Sequence, residues 1–140
     1  MAMTKQTRIL VCSLAGFTAW AAWSAILNAT LLGSRYEAEQ KAGHLLPQHP
    51  YSAFLATWFL MLFLFSLIAT QFYVWACARL GPGLRTSSTV GLLLGFTAAM
   101  PIEVTTSRLS IEHTFTVTWI ADLVVGATLA TVVAGLLYKE

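Results

Sequence analysis

The stretch Ile9–Gly33, ILVCSLAGFTAWAAWSAILNATLLG, decides the fold. It runs 25 residues without a charge, with Lys5 and Arg8 before it and Arg35 after it. A helix needs about 20 mostly apolar residues to cross a bilayer, and this run exceeds that. Two basic residues ahead of an apolar run also resemble a secretory signal, with small residues near Asn28 and Ala29 as a cleavage site. The apolar core of such a signal is only about 7–15 residues long, however. The length of this run, together with Trp20 and Trp23 inside it, favours a retained spanning helix.

Three further runs follow. Tyr51–Ala78 is charge-free for 28 residues and ends at Arg79. Thr86–Ile102 is charge-free for 17 and reaches spanning length by taking in Glu103. Phe115–Tyr138 has 24 residues and one charge, Asp122. Composition agrees: of 140 residues, 57% are hydrophobic and 10% charged, where a soluble domain carries about 25% charge. A soluble fold of this size exposes roughly a third of its chain surface and has no way to hide so much apolar area. A soluble enzyme, a disordered chain, a disulfide scaffold and a nucleic-acid binder are thereby excluded. No period-two alternation marks strands of a membrane barrel. The reading is an all-α integral membrane four-helix bundle. It forms one domain over residues 1–140, with helices near 9–33, 51–79, 86–106 and 115–138.

The connections are short except for one. Residues 34–50, SRYEAEQKAGHLLPQHP, form a polar outer loop with helical character over Arg35–Lys41, stopped by Gly43 and Pro47. Gly81-Pro82-Gly83 is a helix stop and turn, because glycine accepts left-handed angles and proline cannot continue a helix. No internal repeat supports an inverted-repeat carrier. With both termini on one side, that side holds Lys5, Arg8, Arg79, Arg85 and Lys139, and the other holds Arg35, Lys41 and Arg108. The basic bias places both termini in the cytoplasm. Tyr36, Tyr51 and Trp119 then belong to the outer interface, and Tyr73, Trp75 and Tyr138 to the inner one.

Helices in lipid associate through small residues that let backbones approach. Ala21, Ala25 and Ala29 on helix 1, Gly91 and Gly95 on helix 3, and Gly126, Ala130 and Ala134 on helix 4 recur at four-residue spacing. Helix 2 carries nine aromatics between Tyr51 and Trp75. The expectation is a tight core of helices 1, 3 and 4, with helix 2 facing lipid or a partner.

Glu103 and Asp122 are the acidic residues inside predicted spans. An ionised carboxylate at the centre of a bilayer costs about 2.5–3.5 kcal/mol on insertion scales, so each should face the bundle, water or a partner. At about 1.5 Å rise per residue, Asp122 lies about 13 Å from His113, Asn28 about 10 Å from Arg35 and Glu103 about 8 Å from Arg108. All three share the outer half of the bilayer. Thr118, Asp122 and Gly126 share a face, as do Ser24 and Asn28. Asp122, Glu103, Asn28, Thr118 and Ser24 therefore make a candidate outer-half polar pocket for a proton, a cation or a cationic head group. The bland alternative is interhelical glue, with Glu103 wetted at its helix end.

Other chemistry is thin. His44, His49 and His113 fall in outer loops at no metal-ligand spacing, and no histidine inside a span offers a haem ligand. Cys12 and Cys77 lie near the inner helix ends without a C-x-x-C. Trp20 and Trp23 read as packing residues before a ligand slot. No catalytic constellation, metal site or cofactor motif appears, so no enzyme activity and no cofactor are expected.

The segments Asn28-Ala29-Thr30-Leu31-Leu32, Tyr73, Ala78-Arg79-Leu80-Gly81-Pro82-Gly83 and Gly135-Leu136-Leu137-Tyr138-Lys139-Glu140 together resemble a group of short, uncharacterised bacterial four-helix membrane proteins. The resemblance runs from about Ala22 to the end. It implies the bacterial inner membrane and four helices, and brings no activity. The first functional expectation is a non-catalytic accessory subunit, partnered by the bilayer and by other membrane chains or copies of itself, with no nucleic acid. The second is an oligomeric proton- or cation-coupled carrier of small solutes centred on Asp122.

Overall fold

A computed structural model describes residues 4–46 and 52–138. Pro47, His49, Tyr51, Lys139 and Glu140, used above, lie outside the described residues. The described chain is helical, with no strand: α1 (Lys5–Leu27), a π-helical turn (Asn28–Leu32), α2 (Gly33–Lys41), α3 (Phe54–Leu80), α4 (Leu84–Thr106) and α5 (His113–Leu137). The α1 segment, the π turn and α2 form one unbroken rod, so four rods are long and apolar enough to cross a membrane.

Local chemistry explains the ends. The Thr4 hydroxyl caps α1 by accepting from the Thr7 amide at 3.2 Å. The predicted loop 34–50 is helical as far as Lys41, and its helix continues the first span instead of standing apart. Glu37, Ala38, Glu39, Gln40 and Lys41 are good helix formers, and nothing interrupts the backbone ladder until Gly43, which takes a φ of 80°. The first rod has 37 residues, about 55 Å at the helical rise, against a hydrocarbon core of about 30 Å. It is therefore longer than a single crossing requires. Gly81 (φ 78°) and Gly83 (φ 144°) adopt angles that bring α4 back alongside α3 within three residues.

The fifth helix is the hub, packing most closely on α4, then on α1, and also on α3. The α3 helix in turn packs on α1 and α4, whereas α1 and α4 share no substantial contact. The expected close packing of helices 1, 3 and 4 is present, but it runs through helix 4, since helices 1 and 3 scarcely meet. Helix 4 is central, and helix 2 contributes buried Leu62, Ala69, Tyr73 and Cys77 while Met61, Ile68, Phe72 and Trp75 face outward. Lipid is as apolar as leucine, so an aromatic-rich sequence does not by itself say which face is buried.

The α1–α5 seam is an antiparallel ladder: Gly16 meets the Ala130 backbone, Trp20 lies on Gly126, and Ser24 meets Asp122. Each step of four along α1 is answered by a step of four back along α5. A Cβ on Gly16 would lie 2.6 Å from the Ala130 carbonyl oxygen. On the other flank, Cβ atoms at Gly91 and Gly95 would lie 2.6 and 2.7 Å from the Cα atoms of Thr128 and Val124. Ala21 and Ala25 do not form the helix seam expected of them. They line a cavity, while Gly16, Trp20 and Ser24 occupy the seam.

Ile9 and Cys12 of α1 cluster with Tyr73 and Cys77 of α3, Val90 of α4, and Ala134 and Tyr138. The two described ends of the chain therefore meet at one end of the bundle, together with the α3–α4 turn.

Candidate functional site

At the opposite end the helices separate around a cavity of about 1000 Å³. Its wall combines Ser24, Asn28, Tyr36, Trp58, Trp119 and Asp122, with Gln40 and His44 on the α2 side and Ile102 and Leu109 near the end of α4. Most of the lining is apolar or aromatic. Asp122 supplies its one carboxylate, and neither lysine nor arginine lines it among the described residues.

Ser24, fully buried, holds the carboxylate. Its Oγ lies 2.6 Å from Asp122 Oδ1 and 2.7 Å from Oδ2. A hydroxyl has one proton and two lone pairs. It can thus donate to an ionised carboxylate or accept from a protonated one without moving. The ladder places Trp20 one turn deeper, where its indole packs edge-to-face on Phe65 at 5.1 Å. Its buried indole N–H makes no hydrogen bond of ordinary geometry, but it lies within electrostatic reach of the Asp122 carboxylate. Trp20 lines no part of the cavity.

A polar chain leads outward from Ser24. Asn28 Nδ2 donates to the Ser24 carbonyl at 2.8 Å, Tyr36 Oη donates to Asn28 Oδ1 at 3.4 Å, and Trp119 Nε1 donates to Tyr36 Oη at 3.4 Å. The last two are long and correspondingly weak. The π turn makes this stack possible. Eight residues separate Asn28 from Tyr36, which in a regular helix leaves them about 80° apart around the axis. One extra residue in a π bulge makes the pair equivalent to a spacing of seven, nearly in line. π bulges cluster at functional sites, and this one begins at a cavity-lining residue.

Tyr36 also packs edge-to-face on Phe115 at 5.0 Å. Beside it, Arg35 is paired with Glu112, the residue preceding α5. Glu112 is exposed, yet its carboxyl is held below the ordinary range by the Thr114 hydroxyl first and by Arg35 next. His44 Nδ1 lies 2.8 Å from Glu39 Oε2.

Asp122, Ser24 and Asn28 are therefore brought together, and two other candidates are not. Glu103 is exposed on α4 and lines no part of this cavity. Proximity in depth did not imply proximity around the bundle axis. Thr118 is buried on α5 and likewise outside the lining. After the π turn the regular ladder breaks, so Asn28 turns toward Tyr36. Sequence reasoning missed Tyr36, Trp119 and Trp58 as lining residues, having placed the first two only in an interfacial belt. Trp119 had a signal, since it lies three residues before Asp122 on the same helix; Tyr36 and Trp58 lie on other helices, and only the fold brings them to the wall. Among the described residues, no three histidine, cysteine or carboxylate groups converge for a metal. The chain matches no protein-family model, no curated protein and no solved structure.

Proposed function

We propose that the chain is a small multi-pass protein of the bacterial inner membrane, with both termini in the cytoplasm, and that it binds a cationic solute in its outer-half cavity as part of a proton- or cation-coupled carrier. The observation that carries this reading is Asp122: a carboxylate in the wall of a 1000 Å³ cavity, held by Ser24 in a geometry that suits both charge states. A charge at this depth is stable only with a counter-charge or a proton. Among the described residues no lysine or arginine supplies the former from the cavity wall, and His44 there is engaged by Glu39, so a solute cation and a proton compete for one carboxylate. That exclusion is the elementary step of exchange. The orientation rests on Lys5, Arg8, Arg79 and Arg85 gathering at the end where the chain's described ends meet.

The accessory-subunit reading has no comparable focus, because the outward apolar side chains of α3 and α4 are what lipid covers. Protonated carboxyl groups in apolar surroundings react with dicyclohexylcarbodiimide, which supplies the test. The full chain in detergent should acquire one adduct at Asp122, detected by intact mass and peptide mapping, and Asp122→Asn should remove it. A full chain that stays unlabelled at Asp122 would overturn the reading.

A further inference from the structure

Resting on that reading, we infer that the solute is a hydrophobic organic cation bearing a single positive charge. Size comes first. A bare metal ion or a hydronium fills a negligible part of 1000 Å³, whereas pockets for small organic ligands span about 300–1,000 Å³. The donor set points the same way. The polar groups of the wall are engaged with one another, Ser24 with Asp122 and Tyr36 with Asn28, and do not converge into the cage of six or more oxygens that a hard cation such as calcium requires; no metal-ligand cluster exists among the described residues.

Charge fixes the valence. Asp122 is the one acid on the wall, Arg35 is neutralised by Glu112 outside it, and His44 is engaged by Glu39. One negative charge calls for one positive charge. An anion would meet an uncompensated carboxylate in a low-dielectric site, and a dication would leave one charge unmatched. The apolar wall settles the body of the ligand. Trp58 and Phe59 on α3, with rings 5.3 Å apart, and Trp119 on α5 present aromatic surface on two sides. Such faces attract cations as well as apolar groups, most strongly where water is excluded.

The probe is tetraphenylphosphonium, with tetraphenylborate as an anion of the same shape. Purified full-length protein should bind radiolabelled tetraphenylphosphonium saturably, and tetraphenylborate should not displace it. Asp122→Asn should weaken binding at least tenfold, and Trp58→Ala severalfold. Glu103→Gln should change nothing. Bound tetraphenylphosphonium should also protect Asp122 from the carbodiimide. Binding that survives Asp122→Asn, or equal competition by the borate, would overturn the inference. If Asp122 is labelled but tetraphenylphosphonium neither binds nor protects, the solute class falls while the proton-exchanging cavity stands. An unlabelled Asp122 removes both. Circular dichroism of Asp122→Asn and Trp58→Ala confirms that each is folded, and the charge-reversed probe tests the wild-type chain without any substitution.

Discussion

The two ends of the bundle are made of the same four rods and behave differently. At the end where Ile9 and Tyr138 meet, Cys12, Tyr73, Cys77, Val90 and Ala134 close into a solid cluster. A Cβ on Gly135 there would press on Ser87 and the Tyr73 ring. At the other end the same rods surround 1000 Å³ of space. The difference traces to which side chains stand between backbones. Gly16, Gly91 and Gly95 let α1 and α4 touch the α5 backbone. Beyond Ser24 no glycine follows on α1 until Gly33, and Trp58, Phe115 and Trp119 come between the rods. Dispersion favours contact, but bulky rings hold axes apart and leave a gap where their shapes do not interlock. Stability is concentrated at one end, which frees the other to carry a charge.

The largest effect should come from the seam. Gly91→Ala and Gly16→Ala each drive a Cβ into α5 backbone that has no room to move. Each should cost about 3 kcal/mol, the upper range for overpacking, read by denaturant titration of helicity in detergent. Ala25→Leu lies in the same apolar run but faces the cavity, so it should shift stability by no more than about 0.5 kcal/mol. If Ala25→Leu is as damaging as Gly16→Ala, the contrast between the two ends is wrong.

A smaller effect is expected at Ser24. Interhelical hydrogen bonds within membranes average about 0.6 kcal/mol, so Ser24→Ala should cost about that much while altering Asp122 labelling. A loss above about 2 kcal/mol would mean that the Ser24–Asp122 contact is glue between α1 and α5, and the comparison would lose its functional side.

The smallest effect concerns the exposed Arg35–Glu112 pair, which ties α2 to the start of α5. Surface pairs contribute little. Because the Glu112 carboxyl is held below its ordinary value in the folded state, the pair is fully present above the ordinary carboxylate range. It is lost as pH falls through the lowered value. Amide exchange across Gly33–Lys41, corrected for intrinsic rates, should therefore rise only in acid. In Arg35→Ala that acid-induced rise should be smaller, since one of the two contacts that lower the Glu112 value is gone. An identical acid profile in the two proteins would detach the pair from the behaviour of α2.

Some of this was legible from composition alone. Four long apolar runs must become helices in a membrane, because an unpaired backbone group is not tolerated in hydrocarbon, and Gly81-Pro82-Gly83 had to turn. Asp122, Ser24 and Asn28 were legible as a group, since an acid and two polar side chains at matching depth have few other ways to be satisfied. Glu103 met the same depth criterion and failed, because depth is set by position along a helix while neighbourhood is set by rotation about it. Rotation was hard to read here for a physical reason. In water an apolar face reports the core, but in lipid both faces are apolar, so Ala21 and Ala25 read as the seam that Gly16 occupies.

Sequence by itself determined that four segments are long and apolar enough to span a membrane and that two acids had to be accounted for, because those follow from transfer free energies residue by residue. Only the tertiary structure decided that α5 is central, that the first helix runs on through Lys41, and that a π turn at Asn28–Leu32 swings Tyr36 over Asn28. It also decided that the far end stays open. These depend on how side-chain shapes fit between particular backbones, and shape complementarity is a property of pairs that no single residue carries.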